Sequence, residues 1–402
     1  MAVTAQDVER AAATIASDVV RTPTSPSLTL SALTGADIVV KFENLQFTGS
    51  FKDRGAANHL RALGPAERRR GVIALSAGNH AQGVAHHASR LGIEATIVMP
   101  ETAPFTKVSN TTALGARVVQ AGANLASART AAEGLQEKEG LHYVPPYDDA
   151  QVIAGQGTVA REMLEDQPDL DVLVVPVGGG GLLAGMAVAA RAIRPDIELI
   201  GVQVAAFPYA VARFHGRAIE AEATETLADG IAVKGPGELT SPIIERLVDD
   251  MVVVSEEDTE RAIALFLEIE KTVAEGAGAV PLAAVLADTD RFAGRRVGLV
   301  LSGGNIDTRV LASVLLRGLV RTERVSVLRV RVSDLPGQLA PIVDAIAAGG
   351  ANIIEIEHRR TFDAISARSA NIDVVIETRD MAHRDRIIGS LAGLGLQVDL
   401  IG

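Results

Sequence analysis

"VLVVPVGGGGLLAGMAVAA", residues 172 to 190, runs 19 residues without a charge and approaches the length of a membrane span. Pro176 and the four glycines Gly178, Gly179, Gly180 and Gly181 interrupt it. A buried strand followed by a buried helix accounts for the stretch better than a span. Four successive glycines at a strand-to-helix turn let backbone N–H groups close on an anion, and the helix start adds roughly half a positive charge. A phosphate suits that turn; the plainer alternative is that the glycines serve only close packing of strand on helix. Gly179, Gly181 and Ala184 also satisfy the GxGxxA spacing of a dinucleotide fold. That fold needs an acid about 20 residues further on to hold a ribose. The next strand, "IELIGVQV", offers Gln203 instead, so the nicotinamide reading is set aside.

The same texture recurs on either side. "ADIVVKF", "GVIALS", "EATIVMP", "ARVVQA", "IELIGVQV" and "RVGLVLS" are short apolar runs, each followed by a helical period. Uninterrupted apolar strands alternating with helices indicate parallel sheets covered on both faces, hence an α/β body. Four strands end in small polar or glycine-rich turns, "TGSFKD", "SAGNHAQG", "GGGGLLAG" and "SGGNIDT". Ligands in open α/β sheets gather at the carboxyl ends of strands, so the four turns are expected to face one cleft.

Composition narrows the function. The 402 residues carry a formal charge of −12, which argues against a nucleic-acid or anionic-membrane partner. Arg68, Arg69 and Arg70 read as the end of a solvated helix. Without cysteine there is no disulfide, no thiolate nucleophile and no cysteine-built metal site, which fits a cytoplasmic protein. The amino end carries Asp7, Glu9 and Arg10 in a helical pattern and lacks the order of a signal peptide.

Each turn then offers one group. Ser50 and Asp53 resemble a capping box, which puts Lys52 in a first helical turn, where the positive end of the helix dipole lowers an ammonium pKa. A lowered pKa is what an amine nucleophile needs, although a solvated lysine beside a cap fits the local pattern as well. "SAGNHAQG" supplies helix-start amides for a carboxylate, and Asn79 an amide able to bond a phenolic oxygen. His80, His86 and His87 lack an accompanying acid and read as helix-surface and core histidines, with no metal expected. Ser302 brings a hydroxyl to a strand end. A phosphate, an aldehyde for an amine, an oxygen near the amide and a ring nitrogen near the hydroxyl together describe pyridoxal 5'-phosphate.

"GSFKDRGA", "SAGNHAQG", "VGGGGLLAG", "TLADGIAVK" and "LSGGNID", in this order, resemble the threonine ammonia-lyase (threonine dehydratase) family of fold-type II pyridoxal-phosphate enzymes over about residues 5 to 320. The resemblance implies that Lys52 makes the covalent link to the cofactor and that Phe51 flanks its ring. It places Asn79 at the ring oxygen, Gly178 to Gly181 and Leu182 at the phosphate, Ser302 at the ring nitrogen and Glu275 close by. Ser76, Ala77, Gly78, Asn79 and His80 are the implied substrate loop; Asp229 lies in a matched but unassigned segment. Three departures matter. Serine racemases place a second serine where this chain has Ala77, so racemisation is expected to be poor. Their divalent-ion glutamate is Gln203 here, and the usual histidine of the "FDD" segment is missing from "PPYDD".

The implied activity is deamination of L-threonine to 2-oxobutyrate and, more slowly, of L-serine to pyruvate. A serine-preferring dehydratase or racemase, or an amino-acid-responsive binding protein without turnover, are the alternatives. After about Leu319 the texture changes to a charged connector and alternating strands, giving domains 1–320 and 321–402. The second reads as βαββαβ, a ferredoxin-like order with helices on one face of an antiparallel sheet. It resembles an ACT domain, whose paired copies often bind an amino acid such as isoleucine or valine. Asp334, Gly337 and Asn352 are the implied effector contacts, and a homodimer or homotetramer is expected.

Overall fold

Val172–Pro176 is a strand with every residue buried, and Gly181–Ile193 is a helix buried over most of its length. The structure, a computed structural model, describes residues 3–219, 225–360 and 368–401. Among these residues no helix is long and apolar enough to cross a membrane.

The chain divides into two compact units, Met1–Ile306 and Asp307–Gly402. In the first, a six-stranded sheet runs in the order Thr24–Pro26, Asp37–Phe42, Arg296–Leu301, Val172–Pro176, Glu198–Val204 and Asp250–Val254. All its pairings are parallel except that of the short edge strand Thr24–Pro26. A second, all-parallel sheet of four runs Arg117–Gln120, Ala95–Met99, Val72–Leu75 and His142–Tyr143. The seven strands expected from apolar runs are all present. Thr24–Pro26, His142–Tyr143 and Asp250–Val254 were not foreseen: two are too short to show a period, and the third is half exposed on its sheet's edge.

Strand residues such as Ile38, Leu173, Val174, Leu199 and Leu299 are fully buried, as a sheet covered on both faces requires. This places the carboxyl ends of Asp37–Phe42, Arg296–Leu301 and Val172–Pro176 side by side, with the turns carrying Ser302 and the glycine run next to one another.

The second unit begins with the helix Thr308–Arg321. Strand Val325–Ser333, helix Leu339–Ala348, strands Asn352–Arg359 and Ser369–Glu377, helix Met381–Gly393 and strand Gln397–Leu400 follow, the βαββαβ order read from the sequence. The sheet order puts Val325–Ser333 and Ser369–Glu377 inside and the other two at the edges, all antiparallel. Leu328, Val330, Ile372 and Val374 share a core with Ile342, Ile346, Ile387 and Leu391 of the two helices.

Candidate active site

Lys52 is the first residue of the helix Lys52–Ala62, as the sequence suggested, but the cap differs. No side chain caps this helix, whose N-cap is Phe51. Asp53 instead accepts from the backbone N–H and hydroxyl of Thr48 (3.0 and 2.6 Å), five residues back, and so cannot complete a box with Ser50. The Ser50 hydroxyl is buried without a hydrogen-bond partner among the described residues, an unmet need of the kind a bound group satisfies.

The Lys52 amine donates to the Pro146 carbonyl at 2.6 Å and lies 5.1 Å from the centre of the Phe51 ring. Its pKa is lowered to about 8, in the direction expected, but burial is the main cause and Glu275 works against it. The amine is therefore partly neutral near neutral pH, where an exposed lysine stays charged.

The turns converge as expected. The Phe51 N–H donates to the Ser302 carbonyl (3.0 Å), and Ser50 and Gly303 form a β-bridge. Ser302 itself is 1% exposed. Asn79 opens the helix Asn79–Arg90, and its side chain donates to Glu275 Oε1 at 2.7 Å. Glu275 is 4% exposed and N-caps the helix Gly276–Ala287. Burial, helped by Asp229, raises its pKa to about 7. Asp229 pairs with Lys107 at 2.7 Å. A Cβ on Gly303 would collide with Glu275, which explains that glycine.

The glycine run is walled on its far side by "PPYDD". The ring of Tyr147 lies against Gly179 so closely that a Cβ there would overlap it, and its backbone lies against Gly181. Gly180 adopts φ +91°, which favours glycine, and N-caps the helix Gly181–Ile193. The Asp148 carboxylate accepts the backbone N–H groups of Glu238, Leu239 and Thr240 (2.9, 2.9 and 3.2 Å), and the Thr240 hydroxyl returns to the Gly179 carbonyl at 2.7 Å. Pro146, Tyr147 and Asp148 thus touch Lys52, the glycine run and the turn beyond it in succession. Packing at Gly179 and Gly181 and backbone conformation at Gly180 supply reasons for three of the glycines that stand beside anion binding.

His80 lies 2.9 Å from the Val144 carbonyl through Nε2, which must carry the hydrogen because a carbonyl only accepts. Burial pushes the His80 pKa down to about 3. His86 stacks on Phe47 and His87 lies edge-on to His86, so the three histidines share no centre. Gln203 makes three hydrogen bonds: its amide donates to Val177 O (3.0 Å) and accepts from Ala210 and Val211 N–H (2.8 and 3.0 Å).

Several contributors were not read from sequence. Asn305, inside the quoted "SGGNID", donates to Thr48 O and Asn79 Oδ1 (2.7 and 2.8 Å). Behind Lys52, Arg54 is fully buried between Glu43 and Glu162, and Lys41 completes the group with a 2.6 Å contact to Glu162. Asp334, Gly337 and Asn352 do not gather within one chain. Asp334 and Gly337 follow the end of strand Val325–Ser333, whereas Asn352 pairs with Glu377, which faces Val325 at that strand's start.

The family model for a pyridoxal-phosphate dependent enzyme matches residues 15–303. The chain belongs to the pyridoxal-phosphate dependent enzyme family. It is 45% identical to an L-threonine ammonia-lyase of Thermotoga maritima over 401 residues, all of both chains. Among solved structures it resembles a threonine deaminase of T.th., with a TM-score of 0.72 and 41% identity over 76% of this chain and 99% of that one. A maize serine racemase gives a TM-score of 0.73 and 34% identity over 80% and 100%. As a pyridoxal-phosphate dependent enzyme the chain needs an amine for the aldehyde and donors for a phosphate. A buried lysine of lowered pKa, a glycine-walled helix start, an unsatisfied buried hydroxyl and the Asn79 amide suit that group chemically.

Proposed function

We propose that this protein deaminates L-threonine to 2-oxobutyrate and ammonia, with L-serine as a second substrate yielding pyruvate. The observation that carries the reading is the partly neutral Lys52 amine, held at a helix start within reach of the segment that walls the glycine run. The likeness to the threonine ammonia-lyase of Thermotoga maritima supports the substrate.

In this reading Lys52 would be the attachment point for pyridoxal 5'-phosphate and, as a free amine, would serve as the general base for the Cα proton. The cofactor supplies the electron sink for the charge left at Cα. Gly178, Gly179, Gly180, Gly181 and Leu182 would hold the phosphate at the helix start, Phe51 would flank the ring, and Ser302 and Asn79 would meet its nitrogen and oxygen. Ser302, a neutral hydroxyl, would meet the ring nitrogen without a charge to hold a proton on it. The loop Ser76, Ala77, Gly78, Asn79 and His80, which leads into the helix Asn79–Arg90, would receive the substrate carboxylate, although the Ser76 N–H is given to Val98 O (3.1 Å) and the Gly78 N–H to Ser76 Oγ (3.2 Å). Ala77 has no proton to give from the opposite face, which favours elimination over racemisation.

The proposal extends to the domains: catalysis in 1–320 and an ACT-like effector domain in 321–402, in a cytoplasmic homodimer or homotetramer. Asp334 and Gly337 stand at the opposite end of the sheet from Asn352, so a ligand such as isoleucine or valine touching all three requires a second copy of the chain. Wild type and Lys52→Ala, loaded with cofactor, are to be assayed for 2-oxobutyrate from L-threonine. A fall of at least about 100-fold, the low end for loss of a general base, is expected. Retained turnover sinks the assignment, and D-serine from L-serine in place of pyruvate moves the reading to a racemase.

A further inference from the structure

Thr48 O, Asn305, Asn79 and Glu275 form a chain of hydrogen bonds whose direction is set at one end. A backbone carbonyl only accepts, so the Asn305 group 2.7 Å from Thr48 O is its nitrogen. The second hydrogen of that nitrogen points at Asn79, 2.8 Å away, which must therefore present oxygen. The Asn79 nitrogen is left facing Glu275 Oε1 at 2.7 Å. The Asn305 carbonyl oxygen has its own place beside Gly49, where the chain has φ +75° and no Cβ to exclude it.

We propose that Asn305 is a positioning residue that fixes the Asn79 amide with its nitrogen toward Glu275, leaving one Asn79 N–H for the oxygen of the cofactor ring. This rests on the reading of Asn79 as the ring-oxygen contact. Asn79 spends one amide hydrogen on Glu275 and has one more to donate. A reversed amide would offer the ring an oxygen and meet a phenolate with a lone pair. The same polarity leaves Glu275 Oε1 an acceptor, so any proton on that carboxyl resides on Oε2. Asn305 touches neither substrate nor cofactor in this scheme; it acts through Asn79.

The test compares the cofactor-loaded wild type with Asn305→Asp and Asn305→Ala, reading the pH titration of the visible cofactor absorbance, the affinity for pyridoxal 5'-phosphate and the thermal unfolding of each. In Asn305→Asp the new carboxylate only accepts, so Asn79 turns its nitrogen away from Glu275 and the titration shifts. In both variants affinity falls about fivefold, the scale of one neutral hydrogen bond. In an Asn79→Ala background the Asn305→Ala change should cost no further affinity. An unshifted titration with unchanged affinity in a folded variant overturns the proposal, as does an equal further loss in the Asn79→Ala background. If both variants fail to fold, Asn305→Ser takes their place under the same criteria, and its failure to fold assigns Asn305 a structural role and overturns the proposal. A wild-type protein that takes up no cofactor overturns the reading of the site itself, a result distinct from every outcome above.

Discussion

Burial moves the two titratable groups of the cleft in opposite senses, Lys52 down to about 8 and Glu275 up to about 7. For Lys52 the consequence is kinetic. Below about pH 8 the freed amine is increasingly an ammonium and cannot take a proton, so threonine deamination should rise with pH up to about 8 and then level off. A kcat profile that falls from pH 6 to pH 8 contradicts that role. For Glu275 the consequence is energetic. Its folded pKa lies above the ordinary value of 4.5, so its share of stability is fully present below 4.5 and is lost as pH rises through about 7. The loss is of the order of 3 kcal/mol by linkage. Glu275→Gln, which does not titrate, should therefore gain on the wild type in denaturant midpoint between pH 5 and pH 8, and equal midpoint differences at both pH values count against the burial argument.

At the scale of elements, the helix that carries Lys52 is set by a close crossing with Ala150–Asp166. A Cβ on Gly155 would stand 2.7 Å from Arg54 O and 2.8 Å from Gly55 Cα. Gly155→Ala must push the two helices apart and should cost roughly 2 kcal/mol in denaturant unfolding, with the Lys52 helix displaced and turnover reduced more than stability alone explains. A neutral result would mean that the crossing relaxes freely. This crossing was not legible in "DRGA" and "AGQGT", because nothing in a linear pattern says which distant glycines meet. The parallel strands and the four turns were legible, since each has a local signature in apolar runs and glycine spacing. The Ser50–Asp53 box was misread because the pattern fits a local rule, while the structure gives Asp53 to Thr48 and to a 3.4 Å approach by His87. Likewise "PPYDD" carried no signal for its part in walling the glycine run, and Asn305 lay inside a quoted motif without a reason to stand out, as its partners are 226 and 257 residues away.

At the scale of the molecule, the T.th. threonine deaminase is matched over 99% of its length by 76% of this chain. A chain ending at residue 320 is expected to keep most of its threonine turnover and to lose any response to isoleucine or valine that the full chain shows. Loss of all turnover with retained fold would assign the C-terminal unit a part in the site. Composition adds a last consequence through Tyr147. The chain has no tryptophan and only three tyrosines, so with excitation beyond the phenylalanine band its intrinsic emission comes from tyrosine. One of those three rings rests on Gly179. The protein thus carries its own optical gauge: an absorbing cofactor arriving at the glycine run should dim the intrinsic emission, and Tyr147→Phe should remove much of that change, so loading can be followed without any label.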